Sequence, residues 1–152
     1  MPIASSRNLQ VASFFPHQIK TPMPYLSPPL TPRKKAATSF LQLTASGRTR
    51  EAYAAYVHDA MRHHNIYFPG DAASLEKAMK DNHDAFPNIT LEVKRVLEEG
   101  EYVAVHSHVR MEPSEPGVAT VHIFRFEGDK IIEMWDIGQI IPGESPNNNG
   151  MF

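Results

Sequence analysis

At 152 residues the chain has the length of one domain, large enough to bury a core without disulfides or a structural metal. It contains no cysteine, which removes disulfide frameworks, thiolate metal sites and cysteine nucleophiles and leaves a reducing, cytoplasmic compartment as the expectation. The formal net charge is -2, and no apolar run approaches the roughly 20 residues of a membrane span, so a soluble protein without a membrane partner is expected.

The charge is unevenly spread. The first fifty residues hold Arg7, Lys20, Arg33, Lys34, Lys35, Arg48 and Arg50 and no acid. A basic segment of this kind can act as an organellar targeting sequence, but Pro16, Pro22, Pro24, Pro28, Pro29 and Pro32 are poor company for an amphipathic presequence helix. Residues 1–31 therefore read as a Pro-rich, extended or flexible arm ahead of a domain at 32–142 and a tail at 143–152. The acidic remainder argues against a nucleic-acid partner, which needs a basic face on the folded part.

Thr31-Pro32 predicts a helix start and Gly47 its stop. A second helix is expected after Thr49, with Ala52, Tyr53, Tyr56, Val57, Ala60 and Met61 at three- and four-residue spacing. Asp71 caps a third, whose stripe of Leu75, Ala78, Met79, Asn82 and Phe86 ends at Pro87. From Ile89 the period changes to two. One side takes Ile89, Leu91, Val93, Arg95 and Leu97, the other Thr90, Glu92, Lys94 and Val96. Further strands follow at Tyr102 to Met111, Val118 to Phe126, and onward to about Ile140, joined by short turns that make neighbours antiparallel. Three helices followed by a meander define an α+β fold, because parallel units would alternate helix and strand.

Alternation places His106 and His108 on one face with Ala104 and Arg110, His122 with Phe124 and Phe126, and Asp136 with Met134 and Gly138. Whether these faces coincide is open at this level. Converging in an apolar cavity, imidazoles and a carboxylate move protons near neutral pH; on a solvated or subunit-facing surface they do not. A third reading comes from Gly100, His106, His108, Glu112 and Gly117, which approach the metal motif of cupins, although the last glycine arrives early and no second motif follows.

The run Val121-His122-Ile123-Phe124-Arg125-Phe126-Glu127-Gly128-Asp129-Lys130-Ile131-Ile132-Glu133-Met134-Trp135-Asp136-Ile137, the preceding Val103 to His108, and the ending Asn149-Gly150-Met151-Phe152 resemble SnoaL-like polyketide cyclases. These belong to the nuclear-transport-factor-like superfamily, with ketosteroid isomerase and scytalone dehydratase, and the likeness covers Lys35 to Phe152. It implies a cone-shaped, curved antiparallel sheet packed on the helices, a cystatin-like α+β barrel enclosing a pocket. By the same resemblance His122 falls at the isomerase's oxyanion-stabilising position, His64 at its general base, and Asp136 matches the acid/base aspartate of the cyclases. Asn65, His106, His108, Phe124 and Met134 then become substrate-binding residues. Both isomerase carboxylates are replaced by histidine, so steroid isomerisation is not expected.

The implied activity is cofactor-independent acid/base chemistry on a small-molecule carbonyl compound, as an aldol-type cyclase or an isomerase- or dehydratase-like lyase, without a metal. The alternatives are a non-catalytic ligand-binding or dimerisation module of the same fold and a cupin-like metal-binding protein. Parity turns Trp135 away from Asp136. A homodimer is expected, on the reading that the convex face exposes Val105, Val109, Val121 and Ile123.

Overall fold

A computed structural model describes residues 29–152. The expected arm therefore falls almost wholly outside the described residues. The elements run α1 (Pro32–Ala45), α2 (Thr49–Tyr56), β1 (Val57–His63), α3 (Ala72–Ala85), β2 (Thr90–Glu99), β3 (Tyr102–Arg110), β4 (Val118–Glu127) and β5 (Lys130–Ile140). One curved, unclosed sheet of order β1-β5-β4-β3-β2 carries the helices on its inner face. The α+β class holds. The sheet is mixed rather than wholly antiparallel, because β1 runs parallel to β5. Among the described residues, no helix is long and apolar enough to cross a membrane.

The helix boundaries follow local chemistry. Thr31 accepts a hydrogen bond from the Lys34 amide at 3.2 Å with Pro32 at the first position, so a side-chain acceptor and a missing backbone donor both suit the helix start. After Ser46, Gly47 takes φ 80, and His83 of α3 packs so close to it that a Cβ would lie 2.5 Å from the imidazole. Asp71 caps α3 by accepting from the Ser74 amide at 2.9 Å.

The second expected helix stops early. It ends at Tyr56, and Val57–His63 is a strand, so three helices do not precede every strand. Tyr53, Val57 and Met61 are all buried at four-residue spacing, which mimics a helical stripe. The spacing has another origin. Between the pairs Val57 with Ile131 and Arg62 with Glu133, β1 spends three more residues than β5, and this bulge swings Met61 back to the core. Within it the Ala60 amide donates to His58 Nδ1 at 3.0 Å.

A second bulge, between Val93 and Arg95, reverses the parity of β2. Leu91 and Val93 pack against the core as expected, but beyond the bulge Val96 does so and Leu97 is 65 % exposed. The core joins helices to sheet through Phe40, whose ring centroid lies 5.5 Å from Tyr53 and 5.7 Å from Phe124. Val103, Val105, Phe126, Ile131 and Met134 complete it.

Val105 and Val109 are core residues, which corrects their expected place on the convex face. Register explains why. His122 pairs directly with Val105, and Phe124 with Val103, and residues opposite one another share a face. An inward His122 therefore forces Val105 inward and His106 outward. The outer face instead shows Leu97, Tyr102 and Ile137 among its exposed apolar side chains.

Candidate functional site

Between α1, α3 and the inner face of the sheet lies a cavity of about 320 Å3, near the lower end of small-molecule sites. Its walls are mainly apolar, from Leu41, Leu75, Ala78, Met79, Ile89, Leu91, Val109 and Met111, with Asn82 and His83 contributed by α3. Asn65, Thr120, His122 and Asp136 gather at one side.

Three elements position this polar group. In the ladder between β4 and β5, His122 sits directly opposite Asp136 and Thr120 opposite Gly138, which puts their side chains on one face. Asn65 enters from the chain leaving β1, and its Nδ2 donates to Asp136 Oδ2 at 2.7 Å. The parallel pairing of β1 with β5, together with a bond from the His64 amide to the Met134 carbonyl at 2.9 Å, holds that contact in place.

His63 stiffens the same corner. Its Nε2 donates to the Pro69 carbonyl at 2.6 Å while Nδ1 accepts from the Asn65 amide at 3.2 Å, a pair of bonds that only the neutral ring with hydrogen on Nε2 satisfies. The loop that carries Asn65 is thus tied across its base by one buried imidazole.

His122 is the opposite case. Its Nδ1 is buried and has no hydrogen-bond partner among the described residues. Burial pushes its pKa below the usual histidine value, and the nearby Asp136 carboxylate opposes that shift only in part. The ring is therefore a neutral imidazole at neutral pH, beside a carboxylate whose Oδ2 is already engaged.

The other expected site residues lie elsewhere. His106 and His108 are on the outer face, on the far side of the sheet from the cavity, which corrects their reading as substrate-binding residues. Arg95 donates to His106 Nδ1 at 3.1 Å, and Arg110 NH2 to His108 Nδ1 at 3.3 Å, while His108 Nε2 donates to the Pro116 carbonyl at 2.6 Å. Phe152 lies over both rings, with centroids 5.4 and 4.7 Å away. The cupin-like pattern accordingly has its two imidazoles directed at guanidinium groups on an α+β sheet, a poor cation site, and no group of three histidines or carboxylates among the described residues is arranged to hold a metal. Phe124 and Met134 are fully buried beneath the site and do not line the cavity.

His64 reaches only the outer rim. Its ring stacks on Trp135, 4.7 Å between centroids and 1° between planes, and its Nε2 donates to Glu133 Oε1 at 2.9 Å. Asn65, one residue on, supplies the side chain that enters the cavity. Trp135 does face away from Asp136. Glu133 also accepts from Arg62 Nε at 2.7 Å and Arg125 Nε at 2.8 Å, and these donors hold its carboxyl down at about 2. This cluster was not apparent as a set in the sequence, because Arg62 and Glu133 are 71 residues apart. The α3 stripe was visible, but as packing rather than as a cavity wall.

Residues 37–134, more than half of the chain, match the family described as the SnoaL-like domain. The chain belongs to the SnoaL-like family. Solved structures share the fold. A presumptive polyketide cyclase from Bacillus cereus superposes with a TM-score of 0.63 at 20% identity, over 72% of this chain and 75% of that one. Another from Acidithiobacillus ferrooxidans gives 0.58 at 17%, over 72% and 89%. An uncharacterized cystatin fold protein from Novosphingobium aromaticivorans gives 0.58 at 20%, over 69% and 97%. At these identities the likeness is one of fold. No curated protein matches the sequence.

Proposed function

We propose that this SnoaL-like protein binds a small carbonyl compound in the cavity and catalyses proton transfer at the carbon next to the carbonyl. The supporting observation is the juxtaposition, in an apolar cavity, of the Asp136 carboxylate with an imidazole whose buried nitrogen has no partner among the described residues. An orphaned buried polar atom calls for a functional or solvent partner.

In this reading Asp136 is the base. Asn65 fixes one carboxylate oxygen, and the other takes the proton. The electron pair of the broken C–H bond becomes an enolate, whose oxygen accepts a hydrogen bond from neutral His122. Attack of the enolate carbon on a second carbonyl of the same molecule forms a C–C bond, and the proton held by Asp136 passes to the new alkoxide. Return of the proton at a different carbon gives an isomer instead. Each sequence leaves atoms and charge balanced without a further reactant. Asp136 and His122 are the catalytic residues, Asn65 is a positioning residue, and the walls from α3 and β2 to β3 hold the apolar part of the ligand.

Deuterium exchange at the position next to the carbonyl, measured over a panel of ketones with wild type and Asp136→Asn, tests the proposal. Catalysed exchange that the substitution removes supports it. Tight ketone binding with no catalysed exchange across the panel contradicts it and favours the ligand-binding module.

A further inference from the structure

The polar group also faces a second hollow. Asn65, Thr120, His122 and Asp136 line both the apolar cavity and an adjoining cleft whose other walls include Tyr67, Val118, Gly138 and Ile140. The polar group is thus the waist shared by two adjoining compartments, an inner apolar one under the helices and an outer one along β4 and β5.

Gly138 determines whether the outer arm is open. It lies on the same face of β5 as Asp136, opposite Thr120. Its backbone is not in the left-handed region, so conformation does not demand glycine there. A Cβ at this position would lie 3.2 Å from Val118 Cγ1 and 3.9 Å from Thr120 Cγ2, a tight fit to which Val118 must yield and which narrows the floor of the cleft. A glycine inside a strand commonly marks a close approach by a ligand or another chain segment.

Beyond the polar group the outer cleft is flanked by exposed apolar side chains. Tyr67 is 82 % exposed and Ile140 78 % exposed, and nothing among the described residues covers them. Such side chains suit an apolar extension of the ligand that lies in the cleft.

Resting on the reading of this cavity as a carbonyl-ligand site, we infer that the ligand is elongated, with its carbonyl near the middle. One apolar arm occupies the inner cavity, the carbonyl meets Asp136 and His122 at the waist, and the other arm leaves over Gly138. Gly138 is then a specificity-determining residue, selecting carbonyl compounds substituted on both sides over those with a terminal carbonyl or a compact ring.

Two isomeric probes separate these shapes. 6-Undecanone carries five carbons on each side of the carbonyl, whereas 2-undecanone carries one and nine. Binding of both is measured by calorimetry with the full chain, as wild type, Gly138→Val and Ile140→Trp. Wild type is expected to bind 6-undecanone at least tenfold more tightly. Gly138→Val is expected to weaken that isomer at least tenfold and 2-undecanone by less than twofold. Ile140→Trp, at an exposed position, is expected to change the ratio between the isomers in either direction by at least threefold, and it decides the matter if Gly138→Val does not fold. Equal affinities in wild type, equal losses for both isomers, or no binding of 6-undecanone overturns the inference. Because binding and not turnover is read, failure here is distinct from failure of the proton-transfer reading, which rests on exchange in Asp136→Asn.

Discussion

Asn65 and Asp136, 71 residues apart in sequence, meet through a 2.7 Å hydrogen bond from the Asn65 amide nitrogen to one carboxylate oxygen. The bond orients the carboxylate, leaving the second oxygen to act. Asn65→Ala is expected to lower the rate of catalysed exchange about tenfold to a hundredfold, with ligand affinity changed by less than threefold. Asn65→Asp places a second carboxylate beside the first and is expected to shift the acid limb of the pH profile upward. An unchanged profile in both variants would remove Asn65 from the positioning role.

The unpartnered Nδ1 of His122 leads to a trade between stability and function. An unsatisfied buried polar group costs about 1–3 kcal/mol, and an apolar ring of similar shape removes that cost. His122→Phe is therefore expected to raise unfolding stability by about 1 kcal/mol in urea titrations while reducing exchange activity at least a hundredfold. A fall in stability would show that a ligand or solvent partner satisfies the nitrogen in the resting protein.

Much of the fold was legible because short-range chemistry agreed with the long-range result. The Thr31 and Asp71 caps and the glycine turns bounded elements close to where they occur. Two kinds of information were missing. Bulges hid in the spacing: Val57 and Met61 look helical because three extra residues in β1 bring Met61 back to the core. Register was also absent, so alternation left the faces of His122 and His106 open and the resemblance put both in the pocket, although pairing of His122 with Val105 makes that impossible. The site was half legible for the same reason. Asp136, Asn65 and His122 meet at the cavity, whereas His106, His108 and the ring of His64 were assigned to it by the family resemblance alone, and the ladder and the stacking on Trp135 place them elsewhere.

The outer-face position of His106 and His108 separates them from the chemistry. The double substitution His106→Ala with His108→Ala is expected to leave ligand affinity and exchange rate within twofold of wild type. Analytical ultracentrifugation of the same variant reads the other role open to them: on the proposal that this face joins two copies of the chain, substitution at its His106, His108 and Phe152 cluster weakens self-association at least threefold. A tenfold loss of exchange with unchanged association would reverse this assignment.

Glu133 governs acid stability. Its carboxyl, held at about 2 against an ordinary value of 4.5, has a depressed folded-state pKa, so its contribution is complete above about pH 4.5 and is lost as the pH falls toward 2. His122, also depressed, begins to subtract stability earlier, as the pH falls below its ordinary value of 6.5 and the unfolded chain takes up the proton. Two acid-side losses are expected in stability against pH. Glu133→Gln should shrink the lower one and His122→Phe the upper one, as checked by urea midpoints between pH 2 and 8, with the remainder carried by Asp71, Asp84 and Glu92 and by His106, which are also held below their ordinary values. Glu133→Gln should also cost about 1–2 kcal/mol at pH 7, a modest figure because Arg62 is largely exposed.

The most direct test of Asp136 as the base is single-enzyme deuterium exchange on a ketone that wild type demonstrably binds, compared with Asp136→Asn at equal ligand occupancy. The expected result is a fall of at least a thousandfold in the catalysed rate with affinity retained within about threefold, since the amide keeps the shape and loses the proton-accepting oxygen. An exchange rate in Asp136→Asn within threefold of wild type would contradict it.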